Sequence, residues 1–365
     1  MRRSAVRRAL TPPVLVGYDG TLRCGTLVDR RDRFIATVAL DDATVEAHCI
    51  NPGRMEAFVE PGARVWLLPQ QGEKRKLKWS WEAIERVSIT GSPIICGTNT
   101  VRPNALVRAA LEARALHGLS SWARLKAEPK FEATMADGET HTGRADFLLL
   151  DDGAAGQLQK HFVEVKNCHL VYKDGFGYFP DSVSERASRH MEALSALVAQ
   201  GHRADVIFVV QRSDIVHGVR PSAFHDPRFA NAARTAAAAG VRFRALRADV
   251  SLDGTRLTHE LPVDLSGSMD GASTLVAIEA EWQANRPVTG WTRAASGLRV
   301  ANAPFPHHVA AAKQRAKQAL KRDKAKDSDE SQAGQGAAGG FERKADGGRS
   351  QEVESEAKHR RSEQY

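Results

Sequence analysis

Little in this 365-residue sequence would brace it covalently or hold it in a bilayer. It has four scattered cysteines, Cys24, Cys49, Cys96 and Cys168, with no C-x-x-C pair and no His pair at metal spacing. That excludes a disulfide framework, leaves no evident zinc site, and points to free thiols in a reducing compartment. No apolar run approaches the roughly 20 residues that a transmembrane helix needs, so no membrane partner is expected. Residues 1–18 lack acids and carry four arginines. Residues 1–21 read as an extension, either a mitochondrial transit peptide or a disordered start, and Pro12-Pro13 would end any helix there. Localisation is accordingly cytoplasmic, or mitochondrial if the segment is a transit peptide. The body also lacks a basic excess. Of the formal +8, residues 1–18 supply four charges, and residues 312–365 supply three more (13 Lys/Arg against 10 Asp/Glu), which leaves about +1. A nucleic-acid partner must be argued from local clusters, and KRKLKW, Lys74 to Trp79, is the one dense basic run in the body.

What is present divides in two. From about Leu22 to Thr98, RFIATVAL, TVEAHCI, ARVWLLP, KWSWEAIERVSI and PIICG are short β-prone runs between DD, NPG, EPG, QQGE and TGS turns. Five short strands with tight turns predict a small barrel of the OB type over residues 22–100. RPNALVRAALEARALHGL then reads as a helix with Asn104 as N-cap and Gly118 as stop. After it, RADFLLL, HFVEVKN, DVIFVVQ and VRFRALRA alternate with helical runs, which implies a mixed α/β sheet over residues 101–265. Ser182-Val-Ser-Glu185 is a capping box. Val183, Ala187, Met191, Leu194 and Val198 form an apolar helical stripe, with Arg186, Arg189 and His190 off it. The expected fold is α+β with two domains. Residues 266–365 follow as an extension, largely disordered from about residue 311.

The stretch HFVEVKN puts two charges into an apolar strand. Alternation places Glu164 and Lys166 on one face. If this strand pairs with RADFLLL, Asp146 and Glu164 converge at one edge. Glu128, in LKAEPKF, is a third carboxylate upstream. Two or three carboxylates plus a lysine suit a Mg²⁺-dependent phosphodiesterase. The ion takes hard oxygen ligands and lowers the pKa of a bound water, and lysine stabilises the charge of the transition state. Asp-x(n)-Glu-x-Lys in adjacent strands is also the PD-(D/E)xK nuclease pattern. The bland alternative is a half-exposed strand with an ion pair.

Longer motifs favour the first reading. RRDRFIATV, HCINPGRM, KRKLKWSWE, GTNTVRPN, RADFLLL, FVEVKN and GYFPDSVSERASRHMEAL occur in that order. With them the chain resembles the sugar fermentation stimulation family from about Leu22 to Leu265. The resemblance implies an OB-like N-terminal domain, a PD-(D/E)xK nuclease-like C-terminal domain, and binding to nucleic acid, DNA before RNA. By position it implies Asp146, Glu164 and Lys166 as the catalytic set. Asp146, Glu164 and Glu128 would be the ligands of Mg²⁺, with Mn²⁺ as the alternative ion. The chain departs from the family at Pro52 (usually Thr), Asn167 (Ser), Ala187 (Gly) and Arg189 (Lys). The rival reading is a non-catalytic DNA-binding regulator on the same fold.

Other motifs keep two readings. Lys74, Arg75, Lys76 and Lys78 beside Trp79 and Trp81 fit phosphate contact with base stacking, or a solvated strand end over core tryptophans. Arg186, Arg189 and His190 face the scissile phosphate, or form an exposed basic helix face. Asn51-Pro-Gly53 is foremost a turn, and Asp181 foremost a helix-start residue. Nothing in the sequence sets the oligomeric state.

Overall fold

The computed structural model describes residues 8–31, 33–53, 55, 58–72, 75–135, 137–151 and 159–266, with short pieces between 277 and 300. The expectations for residues 1–7, for TLVAIEAEW and GLRVANAPF as whole segments, and for the tail beyond residue 311 lie outside the described residues.

The chain opens with strand β1 (Arg8–Gly17) and continues through β2 (Arg23–Arg31), β3 (Ile35–Ala39), β4 (Thr44–His48), β5 (Arg64–Pro69), β6 (Trp79–Val87) and β7 (Pro93–Gly97). Strands β4-β3-β2-β5-β6 are neighbours in that order. A short parallel pairing of β4 with β6, Ala47 to Trp79 and His48 to Ser80, closes them into a five-stranded barrel. Closure removes the sheet edges and leaves one interior to fill. Leu27, Val38, Val65, Leu67, Trp81 and Ile84 fill it. Trp81 is fully buried and satisfies its indole N–H on the Ala83 carbonyl at 2.9 Å. One ring member, β2, was not among the five predicted runs. One predicted run, PIICG, is β7, which lies outside the ring and pairs with β6.

Helix α1 (Arg102–Glu112) leads into β8 (Arg124–Ala127), β9 (Lys130–Thr134), β10 (Thr140–Arg144), β11 (Phe147–Asp151), β12 (Gln159–Cys168), β13 (Leu170–Val171) and β14 (Phe176–Phe179). Helix α2 (Glu185–Ala199), β15 (Arg203–Val210), β16 (Gly218–Pro221), α3 (Pro227–Ala238), β17 (Arg242–Val250) and β18 (Gly254–Leu261) complete the domain. Its sheet runs β1-β18-β17-β15-β12-β11-β8, with β12, β15 and β17 mutually parallel at the centre. Strands buried on both faces read as apolar runs, and DVIFVV is one. Helix α1 packs on one face around Leu106, Leu111, Val163 and Ile207. Helices α2 and α3 pack on the other around Met191, Leu194, Phe208 and Phe229.

Three local expectations are corrected. The segment read as an N-terminal extension contains β1, an edge strand paired antiparallel to β18 and anchored by buried Leu10 and Val14. Pro12-Pro13 fall where the register shifts between Ala9 and Val14, an irregular edge position where missing donors are tolerated. Asn104 is not an N-cap. Helix α1 starts at Arg102 after Val101 without a side-chain cap, and ends at Glu112, short of Gly118. The cap of α2 is Ser184, which accepts from Ala187 N, rather than Ser182. Val183 therefore precedes the helix and is exposed.

The barrel is fastened to the α/β domain by buried polar bonds. Gln211 accepts Gly97 N on its backbone at 2.9 Å, and its side chain donates to Asn99 O at 3.2 Å and Asn167 Oδ1 at 3.0 Å. The Asn51-Pro-Gly53 turn is closed by Gly53 N on Asn51 Oδ1, and Arg30 donates to the Asn51 and Gly53 carbonyls at 2.8 and 2.9 Å. Just beyond it, Met55 N donates to Asp181 Oδ2 at 3.1 Å. This turn and Asp181 thus serve the junction. Among the described residues no helix is long and apolar enough to cross a membrane.

Candidate active site

Strands β11 and β12 pair antiparallel with Phe147 opposite Val163. Asp146, one residue before β11, therefore comes opposite Glu164. Two neutral donors fix its carboxylate: Val165 N reaches Oδ2 at 2.6 Å, and Asn104 Nδ2, from the first turn of α1, reaches Oδ1 at 2.8 Å. Asn104 thus acts at long range instead of capping its own helix.

Glu164 is 4% exposed. Its Oε1 accepts from Lys166 Nζ at 2.5 Å and lies 2.7 Å from His190 Nδ1. The strand repeat delivers Lys166 to the same face, as expected. Helix α2 delivers His190, because Ala187, Met191 and Leu194 seat it on the sheet and His190 lies at the margin of that stripe. His190 is buried, unlike Arg186 and Arg189, which are exposed.

The two carboxylates differ electrostatically. Burial pushes the Asp146 pKa up, and the nearby charge of Glu164 adds to this; the bonds from Val165 and Asn104 and the charge of Lys166 only partly offset it. Burial also opposes ionisation of Glu164, but the charge of Lys166 and the hydrogen bond from His190 outweigh it and hold that pKa at about 2. The site is a buried pair of carboxylates in which one is paired with cationic partners and the other is not.

Glu128 does not join them. Its carboxylate is 71% exposed and pairs with Arg144 at 3.0 Å. Its backbone N–H is nearer the site, donating to the Asp146 carbonyl at 2.9 Å, but a positive φ of 48° turns the chain there. Among the described residues, no three His, Cys, Asp or Glu side chains form a metal-binding group.

Arg186 and Arg189 do come together with His190. With His141, Arg144 and Glu185 they line a cavity of about 420 Å³. The other basic run lies on the barrel, in the β5–β6 connection. Arg75 donates to Gln70 at 2.6 Å, Lys78 to the Gly72 carbonyl at 2.9 Å, and Lys76 is exposed. Lys74 is outside the described residues. Trp79 is half-buried against the barrel core, with the Arg23 guanidinium 5.7 Å from its ring centre.

Two family models match the chain. One described as the Sugar fermentation stimulation protein RE domain covers residues 101–254, and one described as the SfsA N-terminal OB domain covers residues 28–92. A sugar fermentation stimulation protein homolog of Chromohalobacter salexigens is 42% identical over 258 residues, covering 69% of this chain and 96% of its own. A homolog from Methylobacterium radiotolerans is 40% identical over 244 residues, 66% of this chain and 94% of its own. A solved structure described as Pyrococcus furiosus SfsA in complex with Ca²⁺ has 25% sequence identity and a TM-score of 0.58, covering 69% of this chain and 99% of that one.

Proposed function

We propose that this chain, which belongs to the sugar fermentation stimulation protein family, is a nucleic-acid phosphodiesterase of PD-(D/E)xK type that works with Mg²⁺ or Mn²⁺. The observation that carries the reading is the meeting of Asp146, Glu164 and Lys166 on two paired strands, with His190 on Glu164.

The donor set suits a hard divalent ion. Mg²⁺ is commonly held by one or two carboxylates and otherwise by water and phosphate oxygens, so Asp146 and Glu164 suffice without Glu128. The raised pKa of Asp146 marks a position short of positive charge. The Ca²⁺ named with the Pyrococcus furiosus structure supports the same choice of oxygen ligands. When bound, such an ion supplies an acidified water and shields phosphate charge. Asn104 and Val165 N orient Asp146. His190 orients Glu164 and keeps it ionised. Lys166, 15% exposed on its side chain, holds a positive charge where the pentacovalent phosphate would develop its negative charge. The cavity lined by Arg186, Arg189 and Arg144 offers phosphate contacts beside His190, and the barrel, with Lys76 and Lys78, offers a second nucleic-acid surface. DNA is the expected polymer.

A cleavage assay on single- and double-stranded DNA and RNA, with Mg²⁺, with Mn²⁺ and with chelator, tests the reading. Cutting that requires the ion and disappears in Glu164→Gln is the expected result. The second reading, a non-catalytic binding regulator, is favoured by one observation: Glu164 Oε1 is already engaged by both Lys166 and His190. Tight binding without cutting under every ion would establish it.

A further inference from the structure

A larger cavity, of about 920 Å³, opens on the other side of β10. The β9–β10 hairpin, β11, β12 and the C-terminal end of α2 enclose it, and it shares Thr142, Gly143 and Arg144 with the cavity that holds His190. Its lining combines two chemistries. Lys130, Arg144 and Lys160 face a single lining carboxylate, Glu132. Among the described residues no carboxylate pairs with Lys130 or Lys160. The rest of the lining is largely apolar, with Phe131, Phe162, Leu148 and Leu197. Phe131 and Phe162 meet edge to face at 5.9 Å, and His202 packs 5.8 Å from Phe162.

Gly143 keeps this arrangement possible. A Cβ at that position would come within 2.4 Å of the Phe131 ring. Only a bare backbone on β10 lets the ring lie under the hairpin, where it forms part of the cavity lining.

Unpaired cations above an apolar, aromatic floor are complementary to a nucleotide, which is an anion joined to a flat base. The volume falls in the roughly 300–1,000 Å³ range of small-molecule sites. It cannot admit a duplex, and a base can reach the floor only when unpaired and unstacked. We infer that this cavity receives one unpaired nucleotide of the substrate strand, with its phosphate on Lys130 and Lys160 and its base against the Phe131–Phe162 floor. The substrate class is then single-stranded or frayed nucleic acid rather than intact duplex. This rests on the reading of the Asp146–Glu164 site as one that acts on polynucleotides.

Fluorescence anisotropy on the full chain in chelator tests it, with no cleavage to follow. The probes are a labelled oligodeoxythymidine, the same oligomer with abasic residues, and a blunt duplex of equal length. Wild-type protein should bind the oligodeoxythymidine about tenfold more tightly than the abasic oligomer, since stacking a base contributes on that scale. The Lys130→Ala/Lys160→Ala double variant, altered only at exposed side chains, should lose about tenfold on the single strand and less than about twofold on the duplex. Equal losses on both probes, no loss on either, or indifference to abasic residues would each overturn the pocket while leaving a polynucleotide substrate intact. Failure of the wild type to bind any probe would overturn the polynucleotide reading, and the pocket with it.

Discussion

Strand β12 carries a buried acidic cluster near its start and another further along, and the two are built in opposite ways. Near the start, His161 lies 2.5 Å from Asp205, which also meets Arg244 at 2.6 Å and Arg242 at 3.0 Å. One carboxylate has three partners. Burial opposes its charge, but His161 and Arg244 outweigh this and hold its pKa below the usual carboxylate range. Three residues on from His161, Glu164 and Asp146 form two carboxylates with one lysine and one histidine between them, and Asp146 is held by neutral donors alone. The first cluster is neutralised by its own chain. The second keeps a negative surplus, which is what a site awaiting an external cation requires.

The sharpest way to break this comparison is Glu164→Gln. Cleavage should fall by about a thousandfold or more, since ion-based charge stabilisation contributes several kcal/mol, while the anisotropy of a bound oligonucleotide is retained. Wild-type-like cutting by this variant would move the active site elsewhere.

Asp205→Ala should do the reverse. It strands His161, Arg242 and Arg244, so urea unfolding should show a loss of about 3–5 kcal/mol, with turnover per folded molecule unchanged. Because the folded pKa of Asp205 is depressed, its stabilisation is fully present above the ordinary aspartate value of 3.8 and is lost as pH falls through the lower folded value. Asp205→Asn should therefore flatten the acid limb of stability against pH. An unchanged limb would mean that the cluster does not stabilise through its charge.

Asp181→Ala tests a third place, the junction. Removing the acceptor of Met55 N leaves that buried donor unsatisfied, at a cost of about 1–3 kcal/mol in the same unfolding measurement. The smallest effect belongs to Arg186→Ala with Arg189→Ala. Stability should hold within about 0.5 kcal/mol, while the slope of log affinity against log salt falls by about one for each phosphate contact removed. An unchanged slope would assign these arginines to plain surface.

Much of the fold was legible because it repeats locally. The β runs between turns marked the barrel, and DVIFVV and FLLLD are continuous apolar runs because both faces of the sheet are covered. Within the site, Glu164 and Lys166 could be paired from spacing alone, and Asp146 from the expectation that two apolar strands would be neighbours. Asn104 was misplaced because cap preference is a local statistic, whereas its partner Asp146 lies 42 residues away. Glu128 was a reasonable third ligand by order along the chain, but a positive φ and Arg144 take its side chain into solvent. His190 was grouped with Arg186 and Arg189 by proximity, while burial separates it from them and sets it on Glu164.

What the sequence alone determined is the alternation that puts two opposite charges on one face of β12, the strand and helix order, and the family. Tertiary structure decided which carboxylates meet, which histidine holds one of them, and that an arginine-rich, proline-broken N-terminal segment becomes an edge strand. Periods of two and 3.6 residues are written into consecutive side chains. Pairing β1 with β18, or Asn104 with Asp146, depends on contacts between distant segments that no local pattern encodes.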